Sequence, residues 1–151
     1  MAVSDDLAVL ATALAWAKAG HGVAIATVIS TWGSAPRRVG SHLAVRDDGL
    51  FEGSVSGGCV EGEVILAAQD LITDGAGGML LEYGVADATA WAAGLACGGR
   101  ISIVVQRLAG DGLPPALIAD ALAATARGEG FTISTDPAAG TSRAGPGGPY
   151  E

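Results

Sequence analysis

The sequence predicts an α/β domain, with α+β as its close variant: a mixed β-sheet flanked by helices. Two observations predict it. Along the chain, segments with apolar residues at helical spacing are interleaved with short β-branched runs. The chain has 151 residues, 50% of them hydrophobic, which supplies the apolar surface for one packed core and suits a single domain. The domain is expected over residues 1–133, with a Pro/Gly-rich flexible tail over 134–151.

Each element follows from local pattern. Ser4 is expected as an N-cap, with Asp5 and Asp6 at the positive end of a helix that carries Leu7, Leu10 and Leu14 and stops at Gly20. His21 to Ser30, HGVAIATVIS, is apolar on both faces and predicts a buried central strand. Thr31 to His42 carries Gly, Ser and Pro and predicts a loop. LAVR and LFEG flank DDG, the pattern of a hairpin turning at Asp48-Gly49. Val60, Val64, Ala67, Ala68 and Leu71 keep helical spacing to about Thr73. MLLEY predicts a short strand, ADATAWAAG a helical turn, and RISIVVQRL a strand with Ile101, Ile103 and Val105 alternating. Pro114 to Arg127 predicts a last helix with proline at its start, and FTIST an edge strand.

Composition removes several function classes. The formal net charge is −8 and Lys18 is the single lysine, so the chain lacks the cations that non-specific nucleic-acid binding requires. Mean hydropathy is +0.43, but the longest apolar-rich stretch, Leu7 to Ala17, falls short of the roughly 20 residues of a membrane span. No cationic segment followed by an apolar run opens the chain. Two cysteines without such a signal fit free thiols in a reducing, cytoplasmic setting.

Both cysteines sit among glycines. In GSVSGGCVEGEV, Cys59 follows Gly57-Gly58 and directly precedes a helical pattern. Free N–H groups at a helix start favour anions and lower a thiol's pKa, and glycine lets a ligand approach the backbone closely. Cys59 is thus placed as a nucleophile, a sulfur contact or a metal ligand; the plainer alternative is an inert buried thiol. Glu61 is a candidate proton carrier beside it, or an acid that merely suits the helix dipole. In GLACGGR, Cys97 precedes Gly98-Gly99, a turn that brings N–H groups to a ligand or one that only needs glycine for its geometry. Zinc held by Cys59, Cys97, His21 and His42 has suitable ligand types but lacks the short ligand pairs of structural zinc sites. In GSAPRR, Arg37-Arg38 is the one adjacent basic pair, suited to phosphate or carboxylate, or else solvated among neighbouring acids. Trp32 stacks on a planar ring or packs. Neither a Walker-type phosphate loop nor a Gly-x-Gly-x-x-Gly motif is present. The residues alone point to a glycine-lined, anion-friendly pocket with two thiols.

The runs ATVISTWGSAPRRVGSHLAVRDDG, GSVSGGCVEGEV, YGV and GLACGGRISIVVQRL, in that order between Val23 and Leu108, resemble the N-terminal domain of the XdhC/CoxI family. These are accessory proteins of xanthine dehydrogenase and aerobic carbon monoxide dehydrogenase. The resemblance implies a chaperone rather than a turnover enzyme. Such a chaperone binds and protects molybdenum cofactor, as molybdopterin or its cytosine dinucleotide form, and delivers it to an apo-molybdoenzyme client. It also implies that Cys59 and Cys97 meet the molybdenum–sulfur centre, that Arg37 or Arg38 meets the phosphate, and that Ser34, Ser54, Ser56, Gly57, Gly58, Gly98 and Gly99 line the pocket. Soft thiolates suit a metal–sulfur centre, and N–H groups suit the phosphate. Two alternatives stay open. One is a sulfur carrier or transferase using a persulfide on Cys59. The other is an adaptor joining client and sulfurtransferase. Many family members carry a second, Rossmann-like domain; none is expected here, so either the chain acts alone as a short member or a separate partner chain supplies that half. Ala35 stands where serine is common. A homodimer is also expected, through the apolar face of the first helix with Trp16, although that face serves equally well inside the monomer.

Overall fold

The computed structural model describes residues 2–32, 39–55, 61–83, 100–109, 112–131, 133–136 and 140–144. Its elements are α1 (Ala2–Lys18), β1 (Val23–Trp32), β2 (His42–Arg46), β3 (Phe51–Gly53), α2 (Glu61–Asp74), β4 (Gly78–Tyr83), β5 (Arg100–Arg107), α3 (Pro115–Ala126), β6 (Ile133–Asp136) and β7 (Thr141–Ala144). Five strands form one sheet in the order β3-β2-β1-β5-β4, and β6 and β7 form a separate two-stranded sheet. Helices flank a sheet, as expected. Every ladder among the described residues is antiparallel, where a mixed sheet was expected, so the architecture takes the α+β form of the expectation.

β1 occupies the centre because both of its faces are apolar. Ala24, Ala26 and Val28 face α2, in a core with Leu43, Val45, Ile101, Ile103, Val105 and, from the helix, Val64, Ala68 and Leu71. Val23 and Ile25 face the other way, in a core with Val9, Leu10, Ala13 and Leu14 of α1, Ala44 of β2 and Ile118 of α3. The structure is therefore three layers, with α2 on one side and α1 with α3 on the other. The apolar face of α1 is spent inside the chain: Leu10 and Leu14 are both buried against the sheet and α3. α1 begins at Ala2, so Ser4 lies inside the helix rather than capping it.

The β2–β3 hairpin turns where the sequence places it. The Gly49 N–H donates to the Arg46 carbonyl, the Arg46 N–H to the Leu50 carbonyl, and Gly49 takes a φ of +89°. This is a three-residue loop built on a type I turn and closed by a left-handed glycine. Arg46 also donates to both carboxylate oxygens of Asp48, at 2.9 and 2.7 Å, and its guanidinium lies 5.4 Å from the centre of the Trp16 ring.

The region expected as a tail is in part structured. β6 and β7 pair from Ile133↔Ala144 to Asp136↔Thr141. The pair is held down by Gln106, a buried polar side chain of the central sheet. Its amide donates to the Gly140 carbonyl at 3.0 Å and to the Ser142 hydroxyl at 2.7 Å. Ser142 in turn donates its N–H to Gly112 at 3.0 Å. A buried amide needs such partners, and the Gly/Pro composition of the segment hid them. The expected helical turn at ADATAWAAG lies outside the described residues.

Core burial sets the first expectation. Ile103 is fully buried in the α2-side core, and Ile103→Ala should cost about 2–5 kcal/mol of unfolding free energy in urea titrations. Leu80, 42% exposed on β4, should tolerate alanine within about 0.5 kcal/mol.

Candidate functional site

An antiparallel ladder makes the end of one strand the neighbour of its partner's beginning. At one end of the sheet Thr27 pairs with His42, Leu43 with Gly53, Trp32 with Arg100 and Tyr83 with Ile101. The segment carrying GSAPRR leaves β1 there and returns to β2. The segment carrying GSVSGGC leaves β3 there and enters α2. The segment carrying GLACGG leaves β4 there and enters β5. Three motifs far apart in sequence are thereby attached to one edge. The opposite end holds the α1–β1 turn, the β2–β3 hairpin tip and the link from α2 to β4.

Of the expected site residues, Ser54 and Glu61 are described. Ser34, Arg37, Arg38, Ser56, Gly57, Gly58, Cys59, Cys97, Gly98 and Gly99 lie outside the described residues, as does the side chain of Trp32. Ser54 and Glu61 meet. The Ser54 hydroxyl donates to Glu61 Oε2 at 2.7 Å, and the Val55 N–H donates to the same oxygen at 3.0 Å. The Ser54 N–H donates to the His42 carbonyl at 3.0 Å, so the chain leaving β3 is tied to β2. Val55 is fully buried in the α2-side core. Just before it, Gly53 has a φ of +96°, and a Cβ there would lie 2.4 Å from the His42 carbonyl oxygen and 2.8 Å from Val9. Only glycine permits that turn.

Several polar contacts at this end are not visible in the sequence. His42 Nδ1 lies 2.9 Å from the Thr27 hydroxyl, a part-buried pair on the α1 face of the sheet. A one-residue irregularity in β1 falls between Val28 and Ser30. Such a bulge turns the following side chains to the other face. Ser30 accordingly sits over Ser102, hydroxyl to hydroxyl at 3.4 Å, and Ser102 lies 3.4 Å from Glu82 Oε2. These long contacts form a loose polar row across β1, β5 and β4. The visible signal was a polar residue breaking an apolar run near each strand end, as Ser102 does between Ile101 and Ile103.

The two histidines are not joined. His21 Nδ1 lies 3.6 Å from Asp47 at the hairpin end, while His42 stands at the motif end. About six residues of strand, roughly 20 Å, lie between their levels. A zinc site drawing on both is therefore ruled out by the sheet's geometry. Among the described residues no cluster of three metal-ligating side chains occurs. Asp48, whose carboxyl is held well below the usual carboxylate range chiefly by the Arg46 hydrogen bond, is also at the hairpin end.

With this geometry in hand, the matches to known proteins are informative. Residues 16–84 match the XdhC and CoxI family. The family segment runs from Trp16 through β1, β2, β3, α2 and β4, and so includes GSAPRR and the Cys59 motif. The Escherichia coli K12 molybdenum cofactor insertion chaperone PaoD is 31% identical over 105 residues, 69% of this chain and 32% of PaoD. A Bacillus halodurans protein described as a xanthine dehydrogenase shares the fold. Its TM-score is 0.69 at 24% identity, over 84% of this chain and 37% of that one. The chain thus spans about a third of the length of each relative. No helix among the described residues is long and apolar enough to cross a membrane.

The Gly53 geometry yields the next expectation. Gly53→Ala should lower stability by about 1–3 kcal/mol through backbone strain and the clash with His42, read as an earlier urea midpoint at unchanged slope.

Proposed function

We propose that this chain is a molybdenum-cofactor chaperone that binds the cofactor at the edge where its three motif segments meet and hands it to an apo-molybdoenzyme. The observation that carries this reading is the convergence itself. Antiparallel register attaches the Arg37-Arg38, Cys59 and Cys97 segments to one end of one sheet. Covalent reach adds to it. Cys59 is two positions from Glu61 and Cys97 three positions from Arg100, so their Cα atoms stay within about 7 and about 11 Å of those anchors. The match to the XdhC and CoxI family over residues 16–84 and the likeness to an insertion chaperone support the same reading.

The residue types fit the cargo. Molybdenum cofactor presents a metal held by sulfur, a planar pterin and an anionic phosphate. Cys59 and Cys97 would supply soft thiolates to the metal–sulfur part. Arg37 or Arg38 would fork onto the phosphate, and Ser34, Ser56 and the glycine-flanked N–H groups would line the remainder. Ser54 takes a different part, because its hydroxyl is already given to Glu61. Delivery to a partner asks only for binding and release, which matches a site assembled from loops at a sheet edge. The client belongs to the molybdenum hydroxylases, with the protein working in the cytoplasm.

Anaerobic incubation of the purified chain with molybdenum cofactor, followed by gel filtration and assay of bound molybdenum and pterin, tests the reading. Wild type should retain the cofactor, and Cys59→Ser or Cys97→Ser should retain about tenfold less or lower, the loss expected for a soft metal contact. Retention in both variants would move the cysteines to sulfur transfer or packing. Absence of binding by folded wild type would overturn the carrier reading in favour of an adaptor.

A further inference from the structure

Glu61 is the first residue of α2, and its side chain points back along the chain. One carboxylate oxygen, Oε2, accepts from the Ser54 hydroxyl at 2.7 Å and from the Val55 N–H at 3.0 Å. Both donors belong to the chain just before the Ser56–Val60 segment, and the acceptor belongs to the residue just after it. The donors are themselves fixed. Val55 is buried, and Ser54 hangs from the His42 carbonyl of β2.

We propose that Glu61 is a positioning residue: its carboxylate ties together the two ends of the Ser56–Val60 segment and so sets where Cys59 is presented. Glycine is the residue that loses most conformational freedom on ordering, and Gly57-Gly58 lie between the tied ends, so holding those ends lowers the cost of ordering what lies between them. Hydrogen bonds to an ionised acceptor are the strong kind, so one carboxylate suffices. The arrangement also separates Glu61 from Glu63. Both are first-turn acids of α2, but Glu63 is exposed and suits the helix dipole.

What the segment holds rests on the reading under Proposed function; the tie between its ends does not. The test therefore uses two readouts without cofactor, on the full chain. One is the rate of Cys59 alkylation by iodoacetamide, mapped by peptide mass spectrometry with Cys97 as internal reference. The other is hydrogen exchange at the Val55 amide. Glu61→Ala should speed Val55 exchange by about tenfold or more and shift the Cys59/Cys97 alkylation ratio several-fold, the range expected for losing a charge-assisted acceptor. Glu61→Gln keeps a carbonyl oxygen for the same donors and should restore both readouts to within about twofold of wild type. Glu63→Ala, which removes the same charge from the same turn, should leave both unchanged. Should Glu61→Ala not fold, Ser54→Ala removes one of the two donors and should move the alkylation ratio the same way by a smaller factor. The proposal is overturned if Glu61→Gln matches Glu61→Ala, if Glu63→Ala shifts the ratio equally, or if Val55 exchange does not respond. Failure of wild type to bind molybdenum cofactor would sink the carrier reading and leave this one standing. Unresponsive exchange and alkylation would do the reverse.

Discussion

The antiparallel ladder between β1 and β5 is the constraint on which the remaining structure depends. It pairs Ala24 with Arg107 at one end and Trp32 with Arg100 at the other. Once that direction is set, β2 joins β1 and β4 joins β5 in the antiparallel sense, and the position of every connection follows. Burial enforces the ladder. β1 gives residues to the cores on both faces, so a slip of one residue would exchange small alanines for Val23 and Ile25 on the α2 side. The alanines matter: Ala24 and Ala26 leave room beneath α2 that Leu71, Val64 and Ile103 fill.

Stability and proposed function are consequently laid out at different places on one sheet. The middle of the ladder carries the fully buried side chains. One end carries tight, self-satisfied turns, in which Asp48 binds Arg46 and the Arg107 guanidinium donates to the carbonyls of Gly75 and Ala76 beyond α2. The other end carries long connections and the chemistry-bearing residue types. Gly53 and the Glu61–Ser54–Val55 tie flank the Cys59 segment.

Much of the fold was legible in the sequence because its signals are local. The two-sided apolar run at Val23–Val28, the Asp48-Gly49 turn, the helical spacing of Val64, Ala68 and Leu71, and the alternation of Ile101, Ile103 and Val105 each report one element. What escaped depends on distant partners. Periodicity cannot show that Gln106 finds Gly140 and Ser142, so a glycine-rich stretch passed for a tail. Nor can it show that every ladder among the described residues is antiparallel. The candidate site was legible as residue types and as a resemblance. Its assembly was not, because the shared edge is a property of strand direction. Glu61 illustrates the difference: in sequence it is an acid near a thiol, and in the fold its carboxylate serves Ser54 and Val55.

The hairpin tip at Asp47–Gly49 has a practical meaning. It closes on hydrogen bonds of its own and is tied by Asp47 to Gly22 and Gln69, leaving Asp48 exposed at the end away from the edge that bears the motif segments. It is therefore a natural handle. A dye, an affinity tag or a surface tether fixed there would orient the molecule with its opposite edge toward solution, leaving that edge open to a cofactor or a docking protein. The sheet gives the chain a built-in front and back, and immobilised assays can use that polarity without disturbing either core.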